Sequence, residues 1–324
     1  TRFDAVVQSC VQGKKWYDIT LNRTAFYPEG GGQPYDTGTL GDAHVLEVHN
    51  REGLIIHTCD APLKIGSTVT GEINWERRFD LMQQHSGEHI VSGLAHATWG
   101  CDNVGFHLGS EVVTIDLNVM LDETQLEQLE ESANRYLWED RPVEITYPSP
   151  SELATLNYRS KKELTGQVRI VTFPGADCCA CCGTHVRSAG QVGLIKLLSV
   201  QKFRDGARIE LVCGGRALHY VNQITDQNRR ISRLLSAKPV ETWDAVRRLS
   251  SETDALKARA AALEDAHFSQ LAQQYMGAGD VLLFEEGLSP NSLRRLCDMV
   301  LHTCGGRCAC FSGSDDTGYQ YAIG

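Results

Sequence analysis

No stretch of the chain approaches the ~18–20 consecutive apolar residues that cross a bilayer. Its first residues also lack the charged and apolar regions of a signal peptide. A membrane-bound or secreted protein is therefore not expected, and a cytoplasmic one is. Basic charge is scarce too: 31 Lys and Arg stand against 41 Asp and Glu, a formal net charge of −10. That balance argues against a generic nucleic-acid binder, whose domain is usually basic. The deficit is uneven, because residues 201–260 hold twelve Lys or Arg against seven Asp or Glu. A local basic face on an acidic body stays compatible with an RNA partner. The chain begins at Thr1 without methionine and ends directly after the strand-like Tyr319–Ile323, so sequence is expected beyond Gly324 and upstream.

Cysteine is not lacking. The 324 residues, enough for two or three domains, include 12 cysteines, clustered at 178, 179, 181 and 182 and at 304, 308 and 310. In a long chain that is not visibly secreted, reduced thiols, some of them metal ligands, are the better reading than disulfides. Cys10, Cys59, Cys101, Cys213 and Cys297 read as small buried hydrophobes.

His85 and His89 stand four residues apart, and Cys181 and His185 repeat that spacing. On a helix, positions i and i+4 share a face, so one helix could offer both imidazoles to one ion. Three imidazoles and a thiolate suit tetrahedral zinc. Glu88 falls about 100° around the helix from His89. The pattern is not the His-Glu-x-x-His of zinc proteases, so Glu88 is not assigned as a general base. His96 reads as a packing or outer histidine rather than a fourth ligand.

Residues 1–75 alternate as short strands (Ala5–Val11, Trp16–Leu21, His44–His49, Leu54–Thr58, Thr68–Ile73). Among them lies Phe26-Tyr27-Pro28-Glu29-Gly30-Gly31-Gly32-Gln33, whose three glycines favour close backbone approach to another molecule over regular structure. Trp75–Trp99 and Asp122–Asp140 have helical periodicity. Val112–Leu117, Val143–Tyr147, Val168–Phe173 and Gln191–Val200 read as strands, the cysteine cluster as a turn, and residues 76–215 as one open sheet with helices on it, an α+β arrangement. Apolar positions in 216–236, and Leu249, Leu256 and Leu263 after Pro239, predict two helices paired as an antiparallel hairpin that buries the seam. Residues 280–324 read as a small α/β unit: strand, a helix started by Ser289-Pro290, then two strands.

Together the Phe26–Gln33 loop, the His85/His89 pair, Cys181 through Val186, Gly190 through Gly193 and Arg208-Ile209-Glu210 resemble the alanyl-tRNA editing proteins (the AlaX family) and the editing region of alanyl-tRNA synthetase. The likeness covers roughly residues 1–215. More loosely, the helical arm and tail look like the long type, similar to the synthetase's C-terminal region. The resemblance implies an α+β protein in four parts: a small β-barrel with the glycine loop (1–75), a zinc-containing editing domain of the threonyl/alanyl-tRNA synthetase type (76–215), a helical hairpin arm (216–276) and a C-terminal α/β domain (277–324). It implies hydrolysis in trans of tRNA(Ala) mischarged with Ser or Gly.

By motif position His85, His89, Cys181 and His185 become the zinc ligands. His85, His89 and Thr24 are then the catalytic candidates, with Thr24 near the amino-acid side chain. Gly30, Gly31, Gly32 and Gln33 would lie near the acceptor end of the tRNA, and Arg77 and Arg208 are candidate phosphate contacts. Cys182 replaces the glycine usual after the ligand cysteine, which leaves Cys182 and Cys179 as competing thiols. Thr24 has an equally good reading as a strand-end residue. Four protein ligands close the shell of a structural zinc site, so a non-catalytic tRNA-binding module stays open, as does a zinc hydrolase of another ester or amide. Homodimerisation through the C-terminal region is a secondary expectation.

Overall fold

Alternation in the first 75 residues resolves into a closed barrel. In the computed structural model, which describes residues 1–160, 166–316 and 318–324, its strands are β1 (Arg2–Gln12), β2 (Tyr17–Leu21), β3 (Gly38–Leu40), β4 (Ala43–Arg51), β5 (Leu54–Cys59) and β6 (Thr68–Ile73). They close in the order β1-β2-β5-β4-β3-β6, every neighbouring pair antiparallel. Alternate residues such as Ala5 and Val7, or Ala43 and Val45, point inward and pack with Ile19, Phe26 and Leu40, and Val48 rejoins them past a register shift in β4. Closure leaves no exposed sheet edge.

The helix α1 (Trp75–Trp99) follows directly. Asn74 caps its first turn through Arg77 N, and Gly100, in the left-handed conformation, ends it. Leu81, Ile90, Val91 and Ala95 face the main core, shared with helix α2 (Glu123–Trp138). That core lies on a four-stranded antiparallel sheet, β12-β13-β8-β7, from β7 (Asn103–Leu108), β8 (Val113–Leu117), β12 (Ile195–Phe203) and β13 (Gly206–Cys213).

The single open sheet expected for 76–215 is in fact two. The strands β9 (Glu144–Thr146), β10 (Ile170–Phe173) and β11 (Asp177–Ala180) form a separate antiparallel sheet, with the short helix α3 (Pro150–Leu153) between the first two. Cys178 and Cys179, expected in a turn, lie on β11, where Asp177 and Cys179 are buried and their neighbours half-buried. The stretch Gln191–Val200 begins with a 3-10 turn (Ala189–Val192) before β12.

The chain divides into two compact units, Thr1–Ile224 and Thr225–Gly324, with the boundary inside α4 (Gly214–Leu234). In the second unit, β14 (Gly279–Phe284) pairs in parallel with β15 (Gly305–Ser314) through helix α6 (Pro290–Cys304), and β16 (Gly318–Ile323) adds antiparallel. One face of this sheet packs on α6 and on the end of α5 (Thr242–Gln274), burying Phe268, Leu296 and Val300. The burial expected for the leucine seam is absent: Leu249, Leu256 and Leu263 are 51%, 65% and 64% exposed. Within α5 only Ala245, Phe268 and Ala272 are buried, and Asn228 bonds Pro239 O and Thr242 at the turn between helices. All twelve cysteines are free thiols. Among the described residues no helix is long and apolar enough to cross a membrane.

Candidate metal centre

Helical geometry places His85 one turn before His89, both buried, with their rings stacked at 5.2 Å between centroids. Phe106 stacks on the first and Phe173 on the second. After β11 the chain turns back over α1 and delivers Cys181 and His185. His185 lies 4.7 Å from His85 and 4.9 Å from His89, ring to ring. Cys181 Sγ is 3.5 Å from His85 Nε2. One donor atom from each of the four lies within 4.8 Å of the others.

Zinc bonds of about 2.0 Å to nitrogen and 2.3 Å to sulfur, at a tetrahedral angle, put those atoms about 3.6 Å apart. The Cys181–His85 distance matches. His185 makes the stronger case, since both its ring nitrogens are buried and neither has a hydrogen-bond partner. A buried imidazole without partners is costly unless a nitrogen binds an ion. The residues fit a zinc ion.

The surrounding contacts orient the rings. His89 Nδ1 is 2.8 Å from Asp177 Oδ2, and Arg159 grips Asp177 with two bonds of 2.7 Å. His85 Nδ1 is 2.9 Å from Gln33 Oε1. The same oxygen accepts from Thr184 N, while Gln33 Nε2 donates to Thr184 Oγ1. Arg169 donates to the carbonyls of Cys181 and Gly183. Gly183 must be glycine, because a Cβ there would collide with the His85 imidazole.

Burial opposes the Cys181 thiolate, but the surrounding imidazoles of His185, His85 and His89 outweigh it and bring the thiol down to about 2. Burial drives His185 down to about 3, so its imidazole is neutral. Burial also opposes ionisation of Asp177, yet the bonds from His89 and Arg159 hold it below the usual carboxylate range.

Beside the cluster lies a cavity of about 490 Å³ lined by His85, His89, Cys181, Gly31, Gly32, Glu88, Phe106, Arg159 and Cys182, among others. Gly32 has φ +82°, and a Cβ on it would stand 2.8 Å from Phe106. Only glycine lets the loop come this close. Gly30 is set back, bridged to Gln33 and bonded by Tyr27 OH.

Other residues singled out from the sequence are placed elsewhere. Thr24 Oγ1 is 2.8 Å from His57 Nε2 and accepts from Phe26 N, and Thr24 does not line the cavity. Arg77 donates to Tyr35 O, and Arg208 pairs with Asp116. His96, read as a packing or outer histidine, is half-exposed and paired with Asp102 instead. Of the rival thiols, Cys182 is exposed. Cys179 groups with His89 and Asp177, its thiol pushed up to about 11 by burial.

Asp177, Arg159 and Phe106 carry no sequence signal, because their partners are remote in sequence. Glu88, which fits no His-Glu-x-x-His pattern and falls about 100° from His89 around the helix, nonetheless lines the cavity, which extends to that side of α1. A second thiol group, Cys297, Cys308 and Cys310, sits in the core of the other unit. There Cys297 Sγ already donates to the Cys308 and Ala322 carbonyls.

Comparison with known proteins bears on the same two regions. The family described as tRNA synthetases class II (A) matches residues 2–77, and the threonyl and alanyl tRNA synthetase second additional domain matches 168–210. Alanyl-tRNA editing protein Aarsd1-A of Xenopus laevis is 34% identical over 246 residues, covering 74% of this chain and 60% of the relative. Aarsd1 of Danio rerio is 31% identical over 272 residues, 79% of this chain and 66% of the relative. An alanine–tRNA ligase of Ignicoccus hospitalis is 32% identical over 278 residues, 82% of this chain but 30% of the ligase. The chain thus spans about 60% of the length of the first editing proteins it matches. With the barrel, the second additional domain and the editing proteins all aligned to it, the chain belongs to the alanyl-tRNA editing protein family.

Proposed function

We propose that the chain is a trans-editing hydrolase that deacylates tRNA(Ala) mischarged with Ser or Gly. The carrying observation is the His85/His89/Cys181/His185 cluster opening on a cavity that the Gly31-Gly32 backbone borders. An aminoacyl-tRNA is an activated ester, so hydrolysis needs a placed water, a stabilised oxyanion and a proton for the leaving ribose oxygen. Zinc, held by those four residues, would supply Lewis acidity and a lowered pKa for bound water. The chain's own part is positional. Gln33 and Asp177 fix the two helix imidazoles, and Phe106 and Val104 give the cavity an apolar wall. The glycine loop admits the ester, with Gly30 and Gln33 bracing it. Arg77 and Arg208 are proposed phosphate contacts, and each would have to add them to its present bonds.

Sparing Ala-tRNA(Ala) cannot rest on size, since alanine lies between glycine and serine in bulk. A site that hydrogen-bonds the serine hydroxyl leaves polar groups unpaired when alanine enters, which can reject it by about 10⁴-fold. Thr24 is the proposed hydroxyl reader, a role it would have to play from outside the cavity lining and in addition to its bonds with His57 and Phe26 N. The four-part division of the chain, pairing of two copies through the C-terminal region and residence in the reducing cytoplasm belong to the same proposal. A second reading has a specific observation behind it: four protein donors fill a tetrahedral shell, as in structural zinc sites. One assay separates the two. Purified protein is presented with Ser-, Gly- and Ala-charged tRNA(Ala). Release from the first two alone supports editing, binding without release supports a tRNA-binding module, and no binding points to another ester or amide.

A further inference from the structure

Glu88 is a carboxylate 3% exposed, on the cavity-facing side of α1, yet it belongs to no part of the metal cluster. Ser92 Oγ donates to its Oε1 at 2.8 Å, and Asn103 Nδ2 donates to the same oxygen and to Ser92 Oγ. Two donors aimed at one oxygen suit an ionised carboxylate, which only accepts. They also fix its orientation, since Ser92 and Asn103 are themselves buried. Among the described residues, Oε2 accepts no hydrogen bond and no cation forms an ion pair with Glu88. Arg159, on the same cavity wall, directs Nε and Nη2 to Asp177. Of the described residues lining the cavity, Glu88 is the sole carboxylate.

Arg159 and His89 feel the Glu88 charge through space but neither bonds it, which leaves one oxygen of this oriented carboxylate available to a cation from outside the chain. The metal is not that cation, because the four converging donors exclude Glu88. Every ester of a free α-amino acid brings one: its α-ammonium, one carbon from the carbonyl. We propose that Glu88 is the subsite for that α-ammonium, so the cavity selects esters of free amino acids over N-acylated or 2-hydroxy esters. The inference rests on the deacylase reading given above. It adds a requirement which that reading does not contain, recognition of the amino group common to seryl and glycyl esters.

Glu88→Gln tests it, because the amide keeps an oxygen for Ser92 and Asn103 and removes the charge. The probes are two non-hydrolysable amides on the 3′ position of adenosine, one seryl and one the deaminated 2,3-dihydroxypropanoyl counterpart. Both are titrated calorimetrically into the zinc-loaded full chain. A charge-assisted hydrogen bond gives wild type a preference of about tenfold or more for the seryl probe. In the variant that preference should fall to about twofold or less, with affinity for the deaminated probe, zinc content and melting temperature unchanged. Equal binding of the two probes by wild type overturns the proposal without recourse to any variant. So does a preference retained in Glu88→Gln, or a parallel loss for both probes. A wild type that prefers the seryl probe but releases nothing from charged tRNA(Ala) upholds the ammonium subsite and defeats the hydrolase. Release without the preference does the reverse.

Discussion

Gln33 Oε1 stands 2.9 Å from Nδ1 of His85, tying the glycine loop of the barrel to the helix that carries the proposed metal ligands. The bond fixes the ring and leaves Nε2 facing Cys181. Gln33→Ala should weaken zinc retention by roughly 10–100-fold, the usual cost of losing a partner behind a ligand. Competition with a chromogenic chelator reads this directly. Wild-type affinity in the variant would detach the loop from the centre.

Asp177→Asn removes the charge that faces both His89 and Arg159. Leaving Arg159 half-paired in a mostly buried site should cost about 3 kcal/mol in urea unfolding. The acid response gives an independent check. Asp177 is held below its ordinary value in the fold, so its stabilising share is complete above about 3.9, the unfolded value, and is lost as pH falls through the lower folded one. Wild type should therefore lose stability over that acid range more steeply than Asp177→Asn. Parallel curves would mean the carboxylate contributes nothing in acid.

Cys181→Ala should abolish stoichiometric zinc by elemental analysis, whereas Cys182→Ala should keep it. Cys181 Sγ lies among the imidazoles and the neighbouring side chain is exposed. Zinc lost from Cys182→Ala but kept in Cys181→Ala would reverse the assignment.

Thr24→Val breaks the 2.8 Å contact with His57 and removes the proposed hydroxyl reader. The ratio of Ser- to Ala-tRNA(Ala) deacylation should fall by at least about tenfold, the cost of leaving a polar group unpaired, with zinc content unchanged. An unaltered ratio leaves Thr24 as a brace for the strand end.

What could be read from sequence followed local physics. The span of α1 is legible because its cap Asn74, its periodic apolar residues and its terminator Gly100 lie within the segment they define. β3 has three residues and begins with a glycine, and β7 carries Gly105, so pairing with neighbours decides both. The split of the central region into two sheets is likewise a matter of partners, not of alternation. In the site, the four donors were visible as spacings. Asp177 was not, because its meaning depends on a histidine 88 residues away. The helical wheel gave the correct angle for Glu88 but said nothing of where a cavity would open.

The continuity of α1 has a consequence for how this site can vary. One unbroken, doubly capped helix carries His85, Glu88 and His89, so their mutual positions are set by a rise of about 1.5 Å and a rotation of about 100° per residue, not by loop length. The proposed ion site and the carboxylate beside it therefore share one gauge. Inserting a single residue between Ser86 and Gly87 would turn both away from His85 together, and no adjustment in the loops that bring Cys181 or Gly32 could restore one without displacing the other. Variation in what the cavity accepts is thereby directed to its other walls, the glycine loop and the cysteine turn, while α1 keeps its length.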